Sequence, residues 1–288
     1  MKYIIKQIIK IPLSLLIFYI NIFFIFKKKI HYYLIDQINN KFSKKKASVK
    51  LNNKNIYIFT PNQLCQFRAD TFFTKEPETI NWINEFQKES IFYDIGANIG
   101  IYSIYHAIKN NSKCYAFEPS FYNLVQLSKN INENKCHNII SVITNPLSNT
   151  NTIESFNYSS AIEGGALSSF GVNYTYDGKL MNKSSSVNKL GMCLDELIFN
   201  NYLIDKPNYI KIDVDGIEHL ILEGAKKTLK LECCKSILVE INDAFKNQSE
   251  ISNKLLTDSG YKIQNKLQSS FTKENKGFEK TYNQIWVK

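Results

Sequence analysis

The chain has 288 residues, 44% hydrophobic and 22% charged, long enough for one well-buried domain plus an appendage. Its net charge of +10 is confined to residues 1–50, which carry eleven lysines and one acid, Asp36; the remainder is neutral. Charge so placed argues against a basic nucleic-acid-binding domain, and six cysteines with no C-x-x-C spacing argue against a structural zinc site and for reduced thiols in a cytosolic setting.

Ile11 to Phe26 is a 16-residue apolar run bounded by Lys10 and Lys27-Lys28-Lys29 and interrupted by Pro12, Ser14 and Asn21. As a helix it covers about 24 Å against the ~30 Å of a hydrocarbon core, so it either lies in the interface or, with Ile8 and Ile9 added, spans. The three lysines that follow, with no small-residue cleavage site, do not fit a cleaved signal peptide. Ile30, Tyr33, Leu34, Ile38 and Phe42 recur at helical spacing, as an interfacial helix requires. Residues 1–50 are expected to attach to the cytoplasmic face of a membrane. The competing reading is a hydrophobic helix packed on the domain. Lys44 to Lys54 reads as a polar linker, and residues 51–288 as the folded domain.

Alternating strand and helix signals place that domain in the α/β class. Ile56–Phe59 is a strand, Glu78–Phe86 a helix, Ile91–Tyr93 a strand and Ile101–Ile108 a helix. Cys114–Phe117 (strand), Tyr122–Asn130 (helix) and Ile139–Thr144 (strand) follow. Ser148 to Lys189 is rich in Ser, Asn, Gly and Tyr and reads as irregular, with a strand piece at Ile153–Asn157 and a substrate-side loop around Gly164–Ser169. Then come helix Asp195–Phe199, strand Asn208–Ile212, a helix through Leu220 and Leu229, and strand Ser236–Asn242. Leu255–Ser259 ends a helix, and Tyr261–Ile263 with Gln284–Val287 suggest a closing hairpin.

The most informative stretch is Asp94-Ile95-Gly96-Ala97-Asn98-Ile99-Gly100, a strand turning into a helix through two glycines. Such a turn brings bare backbone close to a ligand. The spacing is D-x-G-x-N-x-G, with Asn98 near where a dinucleotide fold has its second glycine. An acid and little room for phosphate suit a cationic nucleoside such as S-adenosylmethionine (SAM). Glu118-Pro119 closes the next strand roughly 20 residues on, where a carboxylate accepts both ribose hydroxyls of a nucleoside. Cofactor contacts are therefore expected from Asp94, Gly96, Ala97, Asn98, Gly100, Glu118 and Pro119. Asp213, Asp215, His219, Glu240 and Asn242 cluster at two later strand ends, where open α/β sheets bind ligands.

D-I-G-A-N-I-G-I-Y-S, A-F-E-P-S, I-K-I-D-V-D-G-I-E-H-L-I-L-E-G-A and L-V-E-I-N resemble the FkbM family of SAM-dependent methyltransferases. The stretch from Phe67 to Glu78 is similar to the segment preceding the family's glycine motif, so the likeness runs from Phe67 to Asn242. The family usually has Glu where this chain has Asp215. The resemblance implies a Rossmann-like class I methyltransferase sheet with helices on both faces, SAM as donor, and O-methylation of hydroxyls on sugars or polyketides.

Methyl transfer from a sulfonium requires alignment and uptake of one proton. Asp213, His219 and Glu240 are the catalytic candidates, with His219 able to serve as base. Alternatively Asp213, Asp215 and Glu240 hold Mg²⁺. A third reading of Asp215-Gly216-Ile217-Glu218 is a helix-capping arrangement without catalytic role. The expected acceptor is a saccharide or glycolipid in cell-surface glycan biosynthesis. The alternatives are a nucleic-acid methyltransferase, disfavoured by the absence of an N-P-P-[YF] or D-P-P-[YF] motif, and a non-catalytic SAM-binding membrane protein.

Overall fold

A computed structural model describes residues 2–200, 202, 204–269, 273 and 277–288. The chain starts with two helices, α1 (Lys2–Phe26) and α2 (Lys28–Ser43), packed on each other across a bend at Lys27. His31 fastens the pair: its Nδ1 lies 3.1 Å from the Ile20 carbonyl oxygen, and its ring meets Phe24 edge-on. Ile11, Leu15, Phe18 and Ile25 are each more than half exposed, so these apolar side chains do not pack on the domain. Among the described residues no helix is long and apolar enough to cross a membrane.

The expected linker over Lys44–Lys54 is instead a hairpin. β1 (Lys46–Leu51) pairs antiparallel with β2 (Lys54–Phe59) around Asn52-Asn53, with Asn52 left-handed at φ 50°. Lysines and a serine at alternate positions mask a strand whose other face, Ala47, Val49 and Leu51, packs on the core. Helix and hairpin are joined by hydrogen bonds through Lys45, whose N–H donates to Phe42 O at 3.1 Å and whose carbonyl accepts from Thr60 N–H at 2.8 Å.

Next come α3 (Gln63–Asp70), capped by Asn62, which accepts from Cys65 N–H at 2.8 Å, and α4 (Pro77–Asn84), with proline in its first turn. Strands and helices then alternate: β3 (Phe92–Ile95), α5 (Ile101–Asn110), β4 (Cys114–Phe117), α6 (Phe121–Glu133) and β5 (Ile140–Ile143). β6 (Thr152–Tyr158), β7 (Ser169–Phe170) and β8 (Ser185–Gly191) form a separate antiparallel sheet in the order β7-β6-β8. The expected strand piece Ile153–Asn157 lies in β6, and the stretch read as otherwise irregular adds β7 and most of β8 to it as a small sheet. The chain ends with α7 (Leu194–Phe199), β9 (Tyr209–Ile212), α8 (Glu218–Glu223), α9 (Lys226–Leu229), β10 (Ser236–Asn242), α10 (Lys246–Asp258), β11 (Lys262–Leu267) and β12 (Thr281–Val287).

The main sheet has the order β11-β12-β10-β9-β3-β4-β5. β10, β9, β3, β4 and β5 run parallel, and β12 is antiparallel to both of its neighbours. β3, β4 and β9 are buried at every residue, because helices cover one face and helices with the small sheet cover the other. Phe92, Ile104 and Leu127 belong to one apolar layer; Tyr93, Ile212 and Ile221 belong to the other. The chain steps outward from β3 to β5 and returns to β9 on the far side of β3. The segments leaving β3 and β9 therefore diverge and open a crevice at the strand C-termini, the ligand position of open α/β sheets.

Candidate active site

The glycine turn leaves β3 at the edge of this crevice. Gly96 has φ +87°, and a Cβ there would lie 1.8 Å from the carbonyl oxygen of Asp213. Only glycine lets the exits of β3 and β9 pass so closely. The N–H groups of Gly96 and Ala97 both donate to Phe117 O at 3.0 Å, which locks the turn to the end of β4. Asp94 is fully buried, accepts from Ser103 Oγ at 2.6 Å, and is raised in pKa by burial. It supports the turn from beneath, whereas Gly96 and Asn98 reach the cavity wall. Gly100 begins α5, where a Cβ would meet Leu127 at 2.5 Å, so its role is packing.

Glu118 stands across from the turn, at the end of β4. Its Oε2 accepts from Asn98 N–H and its Oε1 from Ser120 N–H, both at 2.7 Å. Burial pushes its pKa up to about 7, against the pull of those donors. A carboxylate has about four lone-pair sites, so two backbone bonds leave acceptor capacity for a diol. Glu118 and Pro119 line a cavity of about 370 Å³, with Ile95, Phe117, Leu147 and Ile221 as apolar wall.

A loop from Gly164 to Ser168 forms another side of the cavity. Asn98 Nδ2 and Asn123 Nδ2 both donate to Gly165 O, at 2.7 and 3.1 Å. Asn123 Oδ1 accepts from Gly164 N–H at 2.9 Å, and Arg68 Nε donates to Gly164 O at 2.9 Å. Farther along, Leu167 N–H donates to Asp215 Oδ2 at 2.6 Å. The loop thus bridges from the glycine turn to the acids beyond β9.

Those acids are Asp213, Asp215 and Glu240, whose side-chain oxygens come within 4.8 Å of one another. All three line the cavity. Burial, then the neighbouring Asp213 charge, raises Asp215 to about 6. Burial followed by Asp213 and Asp215 raises Glu240 well above the carboxylate range. Beside them lies Lys211, 1% exposed, which donates from Nζ to Asp213 Oδ2 at 2.7 Å. Burial opposes its charge, but Asp213, Asp94 and Glu76 outweigh that and raise its pKa. Burial also opposes ionisation of Glu76, yet Lys75, Lys211 and the Tyr102 hydroxyl hold it near 2.

The structure separates the other sequence candidates from this cluster. Asp215 does not cap α8: its carboxylate faces Leu167, and its backbone is left-handed at φ 63°. Glu218 turns back to accept from Val214 and Gly216 N–H, and Gln248 donates to it. It braces the bend that presents Asp213 and Asp215. His219 is 1% exposed, packs edge-on against Phe245 and is absent from the cavity lining. Burial lowers its pKa. It is in no position to take a proton in the cavity. Asn242 bonds Ala244 and Gln248 and likewise stays out.

Sequence reasoning gave no role to Arg68, Lys75, Glu76, Asn123 and Lys211. The first three lie in the Phe67–Glu78 stretch already marked as family-like. Lys211 lies inside the I-K-I-D-V-D-G motif, next to residues with assigned roles, whereas nothing in the sequence marks Asn123, which comes to the site through the packing of α6.

A parallel sheet with a glycine turn after β3, a carboxylate after β4 and a cavity at the point where strand order reverses defines a SAM-dependent methyltransferase. The model described as "Methyltransferase FkbM domain" matches residues 94–263, and the chain belongs to that family. Among solved structures, it is similar to methyltransferase FkbM from Methylobacillus flagellatus KT, at 15% identity and TM-score 0.49 over 71% of this chain and 44% of that one. It is similar to P. horikoshii TYW2 in complex with MeSAdo, at 13% identity and TM-score 0.44 over 85% and 70% of the two chains. A Methanococcus jannaschii fibrillarin pre-rRNA processing protein shares 14% identity at TM-score 0.45, over 85% and 83%. The matched part thus spans under half of that FkbM structure. No curated protein matches the chain.

The residues fit SAM. Glu118 offers the diol acceptor, and Asn98 Oδ1 is a buried acceptor without a hydrogen-bond partner at the cavity wall. For Mg²⁺ the donor type of Asp213, Asp215 and Glu240 is right. However, the Lys211 ammonium already neutralises Asp213, and the Leu167 amide occupies one Asp215 oxygen.

Proposed function

We propose that this enzyme methylates a hydroxyl of a saccharide or glycolipid in cell-surface glycan biosynthesis. One observation carries the reading: Asp215, pushed up to about 6, and Glu240, raised by burial and by Asp213 and Asp215, face the same cavity as Glu118. Bound SAM supplies an electrophilic methyl group on a sulfonium. Glu118, at the cavity wall with spare acceptor capacity, would accept from the ribose hydroxyls and so hold the donor across from the ends of β9 and β10. A hydroxyl is a poor nucleophile until its proton has somewhere to go, and a carboxylate of raised pKa is a better base than an ordinary one. Asp215 and Glu240 take that proton and accept hydrogen bonds from neighbouring hydroxyls of a polyol. Lys211 pairs with Asp213, and its positive charge offsets part of the acid cluster. The Gly164–Ser168 loop shields the cavity from water.

The Mg²⁺ alternative is separable: a metal-dependent enzyme loses turnover in EDTA and regains it with Mg²⁺. The general-base reading expects EDTA to have no effect. Incubation with methyl-labelled SAM, a cell-envelope fraction and total RNA tests the acceptor. The expected label is in saccharide, stable to ribonuclease. Label confined to RNA overturns the assignment.

A further inference from the structure

The α1–α2 pair is an arm with no place in the reaction described above, and its chemistry is unusual for a water-facing surface. Ile11, Leu15, Phe18, Tyr19 and Ile25 of α1 are 58–78% exposed, and Tyr33 and Phe42 of α2 are both 61% exposed. The same fifty residues hold eleven lysines against Asp36. Apolar side chains exposed in this number mark an interaction surface. Its charge selects the partner. A second copy of the arm would bring two clusters of lysines together, whereas an anionic surface neutralises them.

We infer that the arm docks the enzyme in the interface of an anionic lipid bilayer, and that it does so as a rigid bracket. His31 holds the two helices together. No flexible linker separates them from the domain: Lys44 and Lys45 alone join α2 to β1, and Lys45 is hydrogen-bonded through both its N–H and its carbonyl. The β1–β2 hairpin in turn packs on α3 and α6. These helices carry Arg68 and Asn123, which hold the loop at the cavity. Docking therefore sets the height and tilt of the cavity above the lipid surface, as an acceptor with a membrane-embedded tail requires. The docking stands on the arm; only its link to a lipid-linked acceptor rests on the saccharide reading.

The test uses the full chain and co-sedimentation with vesicles of phosphatidylcholine, with and without phosphatidylglycerol. Binding to the anionic vesicles is expected at low salt, with weaker binding at about 0.15 M, where the screening length falls to ~8 Å. Replacing Lys27, Lys28 and Lys29 by Ser should lower affinity about fivefold per lysine, on the order of 100-fold in all. Leu15→Asp with Phe18→Asp should abolish binding and leave methyl transfer to a water-soluble saccharide unchanged. Equal sedimentation with and without vesicles overturns the inference. So does an oligomer in analytical ultracentrifugation that dissociates in the Leu15→Asp, Phe18→Asp variant while vesicles go unbound, which would make a second copy the partner. Loss of transfer to every saccharide with vesicle binding intact would instead sink the acceptor assignment and leave the docking standing.

Discussion

The backbone N–H of Asn98 donates to Glu118 Oε2 at 2.7 Å, tying the glycine turn to the end of the next strand. Glu118 is thus both the expected ribose acceptor and a brace for the turn. Glu118→Ala should weaken SAM binding by about 1–3 kcal/mol, the scale of a lost charged acceptor. Titration calorimetry reads this directly. Unchanged affinity would remove Glu118 from the donor site.

Several buried carboxyls give the fold an unusual dependence on pH. Glu118 and Glu218 titrate near 7 and Asp215 near 6, each raised first by burial. A carboxyl whose folded pKa exceeds its unfolded value stabilises the fold fully below about pH 4 and loses that contribution as pH rises through the folded value. His106, lowered to about 4 by burial, acts oppositely, and its effect is confined below about pH 6.5. Three such carboxyls outweigh one histidine, so the ligand-free protein should lose thermal stability as pH rises from about 4.5 to 7 and level off above that. Glu218→Gln should flatten the slope. A Tm that is level across this window in the wild type would contradict the burial assigned to these groups.

Glu240 sits among like charges, so its removal should uncouple stability from activity. Glu240→Gln relieves repulsion from Asp213 and Asp215 and should raise Tm. Loss of its share in proton uptake should lower kcat by roughly 10²–10⁴-fold. Asp215→Asn should behave similarly in kcat. Wild-type turnover in both variants would place the base elsewhere.

His219→Ala should leave kcat within a few-fold of wild type, because the ring packs on Phe245 outside the cavity. Thermal or urea unfolding should show a loss of about 1–2 kcal/mol from the vacated core position. Loss of turnover without loss of stability would return His219 to the mechanism.

The parallel strands were readable because burial on both faces demands continuous apolar runs, as in Ile91-Phe92-Tyr93 and Ser236–Ile241. Glu118 and the acids after β9 were readable because their positions follow from the ends of those strands. β1 and β8 were hidden because each buries only one face, and their exposed lysines, serines and asparagine look like loop. His219 follows Glu218 in the motif, and a helical turn of about 100° per residue sends the two side chains to different surroundings. Arg68 and Asn123 gain meaning only from the loop they hold, which lies 96 and 42 residues away in the chain.

The neck of the small sheet has a consequence for how the cavity wall can change. Ser148 N–H donates to Met192 O and Met192 N–H donates to Pro146 O, each at 3.0 Å, so the excursion from β5 to α7 leaves and returns at adjacent points. Everything between is bounded by its own ladder, β7-β6-β8. A module closed at its base can change in length away from the Gly164–Ser168 loop without moving the ends of β5 and α7 apart. Its Gly164–Ser168 loop also forms one side of the cavity. An altered insertion therefore redraws one wall of the cavity and the bond to Asp215, while the residues of the β3 turn and Glu118 belong to a separate part of the chain.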